Sequence, residues 1–370
     1  MQNYVGVITL PNGDSIEILP KTCLNVQDEE EVAKNRKLVL TMLKALNAQK
    51  FKCLNLASID CRKMTILDIF IARFLEEVTK IVKRGLKSSY LSVEENSNFF
   101  KGKILFAQQL KHNLLHKERN YVQYDQFSVN RAENRLIKAT LQYLYRCVNS
   151  TRFKKSIQQL LGYFAGVESS TNYPKDFATC VGGRGMETYV LALDWCRIFL
   201  EQKSITPWAG KQQTPSVLFS MQDLFEAYVG KLLEEAADGD KYRISLQDKK
   251  SHLVESPEKS FLIKPDIVVR SKVAHKQVWV MDTKWKLLDS NKQYYGIKQS
   301  DMYQMYAYMR KYEAQNVTLV YPATEKKLEE ITYSAPDVII NVRFVDLFKA
   351  KRDVKRILDL ATANQKENNS

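Results

Sequence analysis

The chain has 370 residues, of which 45% are hydrophobic, and its 56 Lys and Arg exceed its 42 Asp and Glu, for a formal net charge of +14. That length predicts two or three domains, and the excess of positive charge favours a polyanionic partner such as nucleic acid. No run of about 18 apolar residues could span a membrane and the N-terminus carries no signal-peptide pattern, so we expect a cytoplasmic protein.

The first sixty residues favour β-structure followed by a helix. Two runs of alternating apolar residues flank Pro11-Asn12-Gly13, and Asn-Gly is a strong signal for a hairpin turn. The pattern NRKLVLTMLKAL that follows predicts a helix. We therefore treat residues 1–60 as a β-rich N-terminal segment.

Residues 61–205 predict a mainly helical region. An apolar stripe predicts a long helix over Thr65–Leu86. Further on, Asn130 and Glu133 have the spacing of a capping box at the start of another helix. The Pro- and Gly-containing segment 201–217 is the best candidate for a domain boundary.

The segment SMQDLFEAYVGKLLEEA predicts an amphipathic helix with Ser220 as its N-cap. At 100° per residue, Glu226 lies roughly 110° from the centre of the apolar stripe. From there its carboxylate could reach around the edge of a sheet on which the helix packs. An ordinary glutamate on the flank of the helix would have the same spacing, so both interpretations stay open.

Two segments rich in Val and Ile, PDIVVR and VWVMDTKWK, flank a polar stretch that can turn the chain. In an antiparallel hairpin closed by that stretch, Asp266 would oppose Asp282 to within one position. Directly opposed residues lie roughly 4.5–5.5 Å apart at Cβ, and two carboxylates that close favour a cation between them. Because side chains alternate along a strand, Lys284 would share a face with Asp282. Two carboxylates and an ammonium group suit phosphodiester hydrolysis, although a D-x-K triplet alone more often lies on a solvated face.

Downstream, QSDMYQMYAYMRKY predicts a helix capped by Ser300, on which Gln304 and Tyr308 share a face. Two predicted strands follow, NVTLVYP and VIINVRFVDL. The order helix, strand, strand, helix, strand, strand predicts an α/β (α+β) fold with a mixed sheet flanked by helices.

These motifs resemble the PD-(D/E)xK nuclease superfamily over roughly the last 150 residues. Asp266 matches the aspartate of its P-D motif, Asp282 and Lys284 match D-x-K, and Gln304 with Tyr308 matches the Q-x-x-x-Y of several branches. Further segments extend the likeness over nearly the whole chain to McrC, the family of nuclease subunits in McrBC restriction systems. These are VGVITLPNGDSIEILPK, GKILFAQQL, VQYDQFSVNRAENRLIKATLQYL and VGGRGMETYVLALDWCRIFL.

The resemblance implies a Mg²⁺-dependent endonuclease that cuts double-stranded DNA containing modified cytosine. It also implies a McrB-type AAA+ GTPase partner, whose GTP hydrolysis this chain would stimulate, and pairing of two McrC subunits for double-strand cleavage. The sequence has no G-x-x-x-x-G-K-[ST] motif, which fits such a division of labour. Residues 1–60 and 61–205 would then form the partner-binding half, 206–360 the nuclease domain and 361–370 a disordered tail.

By the same resemblance, Asp266, Asp282 and the Thr283 carbonyl would bind Mg²⁺, an ion that prefers oxygen ligands. Lys284 would orient the attacking water or stabilise the transition state. Glu226 is a further candidate metal ligand, and Gln304 and Tyr308 would position the DNA backbone or support the site.

One residue departs from the family pattern, because Trp285 stands where a tyrosine or a smaller residue is expected after D-x-K. Two other functions remain open at this point. The chain could be a DNA-binding activator of the GTPase that does not cleave, or a nuclease of the same superfamily that acts without a partner.

Overall fold

The computed structural model describes residues 3–10, 14–22, 27–46, 60–180, 186–201, 216–273, 278–314, 316–323, 329–336 and 338–363. The chain divides into two compact units. Unit 1 comprises Met1–Gly6, Glu17–Ile66 and Leu218–Ser370, and unit 2 comprises Val7–Ile16 and Leu67–Val217. Among the described residues, no helix is both long enough and apolar enough to span a membrane.

The helices are α1 (Glu29–Leu46), α2 (Ile66–Arg84), α3 (Phe106–His112), α4 (Ala132–Cys147), α5 (Thr151–Tyr163), α6 (Tyr173–Thr179), α7 (Glu187–Leu200), α8 (Met221–Ala236), α9 (Gln299–Tyr312) and α10 (Ala350–Ala363). The strands are β1 (Tyr4–Thr9), β2 (Ser15–Ile18), β3 (Ser89–Ser97), β4 (Lys103–Ile104), β5 (Asn120–Ser128), β6 (Ser216–Ser220), β7 (Tyr242–Leu246), β8 (Ser251–Val254), β9 (Ser260–Ile263), β10 (Ile267–Ser271), β11 (Val278–Thr283), β12 (Asn316–Pro322), β13 (Ile331–Ala335) and β14 (Val338–Val345). A short 3₁₀ turn spans Gln293–Gly296.

The largest sheet lies in unit 1 and has the strand order β13-β14-β12-β11-β10-β7. Strands β7, β10 and β11 pair antiparallel, β11, β12 and β14 pair parallel, and β13 is antiparallel to β14. The sheet is therefore mixed, which confirms the predicted fold class. Strand β12 is buried along its whole length, as expected for a strand in the interior of a sheet covered on both faces.

Helices α8 and α9 pack against β11. Val268 of β10 and Val280 of β11 belong to the same buried cluster as Met305 and Tyr308 of α9. Because side chains alternate along a strand, the even-numbered residues of β11 face α9. On the α8 side, Phe225 packs edge-on against Trp285, with 5.5 Å between ring centroids.

The start of α8 agrees with the sequence prediction, since the Ser220 hydroxyl accepts a hydrogen bond from the Asp223 N–H at 3.4 Å. Helix α1 also packs against α8, so residues 17–66 belong to the same unit as the large sheet. The two units thus divide the chain differently from the predicted boundaries at residues 60 and 205. Those domain boundaries stay a prediction.

Strands β1 and β2 are neighbours in a sheet of order β2-β1-β6, as the predicted N-terminal hairpin requires. The turn Pro11-Asn12-Gly13 lies outside the described residues. So do residues 202–215 of the predicted domain boundary and residues 364–370 of the predicted tail. The first three residues of that tail are the last three of α10.

In unit 2, helix α4 packs against α5, α6 and α7. Phe70 of α2 packs on Trp195 of α7, with 5.2 Å between ring centroids. The prediction of helices is confirmed here, including α2 at Thr65–Leu86 to within two residues. The sequence missed the small sheet of order β3-β5-β4, because its strands carry polar residues on both faces instead of an alternating pattern.

Two predicted helix caps are wrong. Helix α4 begins at Ala132 after Arg131 and has no side-chain cap, while the Asn130 side chain accepts a hydrogen bond from the Glu168 N–H at 3.1 Å. A contact between residues distant in sequence thus replaces the local capping box. Helix α9 begins at Gln299, before Ser300, and its N-cap position Lys298 makes no capping hydrogen bond.

Candidate active site

The antiparallel pairing of β10 with β11 brings the two predicted carboxylates together. Ile267 opposes Met281, so Asp266 and Asp282 are the next opposed positions, at the end of the ladder. This confirms the register predicted from the sequence. Asp282 lies on the face of β11 that is turned towards α9, and Lys284, one residue beyond the end of the strand, reaches Gln304 of α9 from the same face.

Asp266 is hydrogen-bonded to Thr283, the residue that follows Asp282. Its Oδ2 accepts hydrogen bonds from the backbone N–H and the side-chain hydroxyl of Thr283, each at 2.7 Å. Burial nevertheless raises the pKa of Asp266, although these hydrogen bonds and the charge of Lys284 act to lower it.

Asp282 is the most deeply buried of the site carboxylates, with 1% of its surface exposed. Its Oδ2 lies 2.7 Å from the Lys284 Nζ in an ion pair. Burial and then the charge of Asp266 raise the pKa of Asp282 to about 7, against the effect of Lys284. The Lys284 ammonium group therefore offsets only part of the effect that burial and Asp266 have on Asp282.

The Lys284 ammonium group is held by a chain of hydrogen bonds that runs through α9. Lys284 Nζ donates to Gln304 Oε1 at 2.9 Å, Gln304 Nε2 donates to the Tyr308 hydroxyl at 2.6 Å, and that hydroxyl donates to the Lys264 carbonyl at 3.1 Å. Burial acts to lower the pKa of Lys284, but the Asp282 carboxylate outweighs it, and the net shift is upward. The chain ends next to Pro265 and Asp266, so it links the two predicted motifs.

Glu226 lies on α8, beside the peptide of Asp266 but not in the carboxylate pair. It accepts a hydrogen bond from Gln247 Nε2 at 2.7 Å, and the Gln247 N–H donates to the Asp266 carbonyl at 2.7 Å. Burial and then the charge of Asp266 raise the pKa of Glu226. Over the described ranges, no three His, Cys, Asp or Glu side chains form a cluster that could hold a metal ion. The role of Glu226 as a metal ligand stays a prediction.

Sequence reasoning missed Gln222, which precedes Glu226 by one helical turn. Its Nε2 donates to the Thr283 carbonyl at 2.6 Å, and its Oε1 accepts from the Trp285 N–H at 2.7 Å. The four-residue spacing from Glu226 was the only signal in the sequence. Trp285, the residue after the D-x-K triplet, is 6% exposed and packs on Phe225 of α8.

The donor set fits Mg²⁺. Asp266, Asp282 and the Thr283 carbonyl offer only oxygen atoms, and the two carboxylates are opposed at the end of one ladder. Hard divalent cations prefer such oxygen ligands, whereas zinc sites use His and Cys. The clustered negative charge also favours a divalent cation.

A family model described as McrBC 5-methylcytosine restriction system component matches residues 1–322. None of the curated proteins matches the chain. A half-complex from a tetradecameric assembly of Thermococcus gammatolerans McrB AAA+ hexamers with bound McrC matches with a TM-score of 0.67 and 18% identity, over 97% of this chain and 82% of that one. A cryo-EM structure of the Thermococcus gammatolerans McrBC complex matches with a TM-score of 0.46 and 18% identity, over 65% of this chain and 68% of that one. The first of these likenesses supports the α/β fold.

Proposed function

The chain belongs to the McrBC 5-methylcytosine restriction system component family, and on that premise we propose that it is the Mg²⁺-dependent DNA endonuclease subunit of such a system. The observation that supports this most is the convergence of Asp266, Asp282 and Lys284 at the ends of two paired strands. A non-cleaving DNA-binding activator of a GTPase would have no use for a buried carboxylate whose pKa is raised to about 7.

In this proposal, Asp266, Asp282 and the Thr283 carbonyl hold Mg²⁺, with Glu226 as a further ligand, directly or through water. The bound ion would lower the pKa of a coordinated water and offset the charge that develops on the scissile phosphate. Lys284, held by Gln304, places its ammonium group beside Asp282, where it can orient the attacking water or the phosphate oxygen. Gln304 and Tyr308 fix that ammonium group and support the backbone before Asp266.

The partner in this proposal is a McrB-type AAA+ GTPase, as in the similar assembly of McrB hexamers with bound McrC. The chain has no P-loop motif, so nucleotide hydrolysis would belong to the partner, and this chain would stimulate it. The substrate is double-stranded DNA with modified cytosine, whose phosphates suit the net charge of +14. Two such subunits together would cut both strands.

The test is cleavage of methylated DNA by the chain together with its McrB-type GTPase, GTP and Mg²⁺. We expect the wild-type chain to cut, and Asp282→Ala to bind the same DNA and the same partner without cutting. Glu258→Ala, which alters an exposed carboxylate in the same unit, is the matched control and should cut like the wild type.

Cleavage by Asp282→Ala at the wild-type rate would refute the nuclease assignment and favour the non-cleaving activator. Full cleavage by the isolated wild-type chain, without GTPase or GTP, would instead favour a nuclease that acts without a partner.

A further inference from the structure

Strand β11 loses its antiparallel neighbour at the end that carries the site. The ladder with β10 begins at Ile267, and Pro265, two residues before it, has no N–H to donate. On the other side, the Lys284 N–H still donates to the Val320 carbonyl of β12 at 2.9 Å. The backbone groups of Thr283 and Trp285 that point away from β12 therefore need other partners, because buried peptide groups are costly to leave unpaired.

Two side chains take the place of the missing strand. The Asp266 carboxylate accepts the Thr283 N–H, and the Gln222 amide pairs with the next two groups in line, the Thr283 carbonyl and the Trp285 N–H. A primary amide offers one donor and one acceptor in a plane, as a peptide group does. Gln222 thus grips the chain on both sides of Lys284, at 2.6 and 2.7 Å.

Gln222 is itself well anchored. It lies in the first turn of α8, where Ser220 caps the helix and the flanking residues Met221 and Leu224 are buried with exposures of 1% and 0%. A side chain in such a position can transmit the placement of α8 to the backbone of β11. Lys284 Nζ is fixed from the α9 side by Gln304. Gln222 thus constrains the backbone on either side of Lys284, and Gln304 constrains its ammonium group.

We propose that Gln222 is a positioning residue of the active site, which sets the backbone of Thr283 to Trp285 and through it the Lys284 ammonium group and the Thr283 carbonyl. The part of this inference that concerns cleavage rests on the proposed nuclease function, whereas the hold on the backbone does not. A displacement of about 1 Å in a catalytic group can reduce turnover by about 10²-fold.

The test compares Gln222→Met, which keeps the length of the side chain and removes both hydrogen bonds, with the wild-type chain. Gln299→Met is the matched control, because it makes the same change in the first turn of α9, at an exposed position whose amide donates to the Tyr303 hydroxyl. Gln222→Asn keeps the amide but shortens its reach, and serves as a second variant if the methionine variant folds poorly.

Two measurements test whether Gln222 holds this backbone and whether that hold affects cleavage. Amide hydrogen exchange on the isolated chain should show the Trp285 N–H exchanging at least about 10-fold faster in both Gln222 variants and unchanged in Gln299→Met. Cleavage with the partner should show kcat lower by about 10- to 100-fold with KM for DNA within about twofold.

Unchanged exchange at Trp285 would overturn the proposed hold. Faster exchange with wild-type kcat would overturn the positioning role. If the wild-type chain itself did not cleave, the proposed nuclease function would fail, while the exchange measurement would still decide whether Gln222 holds this backbone.

Discussion

Unit 2 and the large sheet of unit 1 each bury an aspartate, but the pKa is lowered in the first and raised in the second. Asp176 in unit 2 is 7% exposed, and Asp282 is 1% exposed. Burial raises the pKa of Asp176 as well, but the hydrogen bonds from Arg135, at 2.6 and 3.3 Å, together with Ser170 and the charges of Arg135 and Lys175, outweigh it and the net pKa is lowered. At Asp282 the pKa is raised to about 7, since the neighbouring Asp266 adds to the effect of burial.

The raised pKa of Asp282 is not a general consequence of burial beside the large sheet. Asp248, which is bonded to Arg270 of β10 at 2.9 Å and is 5% exposed, also has a lowered pKa. Its guanidinium partner and the Lys250 N–H outweigh the cost of burial. The two structural aspartates are thus each matched with a cation, whereas Asp282 shares one lysine with a second carboxylate. An excess of buried negative charge of this kind marks a functional site better than burial alone does.

If Lys284 takes part in catalysis whereas Arg135 and Arg270 stabilise the fold, we expect the largest effect from a substitution of Lys284. We expect Lys284→Met to lower the rate of DNA cleavage by roughly 10²- to 10³-fold, because the ammonium group beside the reacting phosphate is lost. Single-turnover cleavage with the partner GTPase measures this. Lys272→Met, at an exposed position of the same hairpin, should cleave normally, and a similar loss in both variants would contradict the assignment.

Removing Arg135 should act on the stability of the fold. Arg135→Met leaves the Asp176 carboxylate buried without its cation, and we expect the free energy of unfolding to fall by about 2–4 kcal/mol. Denaturant unfolding of the full chain measures the change. The double variant Arg135→Met with Asp176→Asn should recover part of it, because the uncompensated charge is then absent. A loss equally large in the double variant would show that packing, and not charge, is responsible.

Contacts between residues distant in sequence limited what the sequence could predict in both regions. The register of β10 and β11 follows from the polar turn between them, and α8 follows from its Ser220 cap and apolar stripe, because these are local patterns. Gln222 escaped prediction because its backbone partners lie more than sixty residues away in sequence. The capping role of Asn130 failed for the same reason, since its side chain bonds to Glu168.

The raised pKa of Asp282 predicts a stability that depends on pH. Between about pH 4 and pH 7 the folded chain holds a proton on this carboxyl that the unfolded chain has lost, so stability in the absence of divalent ions should fall as the pH rises through that window. Asp282→Asn removes the cost of ionisation, and we expect it to stabilise the metal-free chain at pH 8 by about 1–3 kcal/mol.

Thermal unfolding in the presence of a chelator, at pH 5 and pH 8, measures this effect. The gain should shrink towards the lower pH. Asp248→Asn is the matched control and should destabilise at pH 8, because its carboxylate is paired with Arg270. Destabilisation by Asp282→Asn as well would remove the distinction between the two aspartates.

The smallest expected effect separates two tyrosines one turn apart on α9. The Tyr308 hydroxyl joins Gln304 to the Lys264 carbonyl, and the Tyr312 hydroxyl donates to Asp248 Oδ1 at 3.3 Å. Each phenylalanine variant should lose about 1 kcal/mol of stability, the usual contribution of one hydrogen bond. Only Tyr308→Phe should also slow cleavage, by roughly 3- to 10-fold, because Gln304 then holds Lys284 less firmly. Unfolding and single-turnover cleavage of both variants measure the two effects, and equal rates of cleavage would show that the hydrogen-bond chain through α9 does not reach the chemistry.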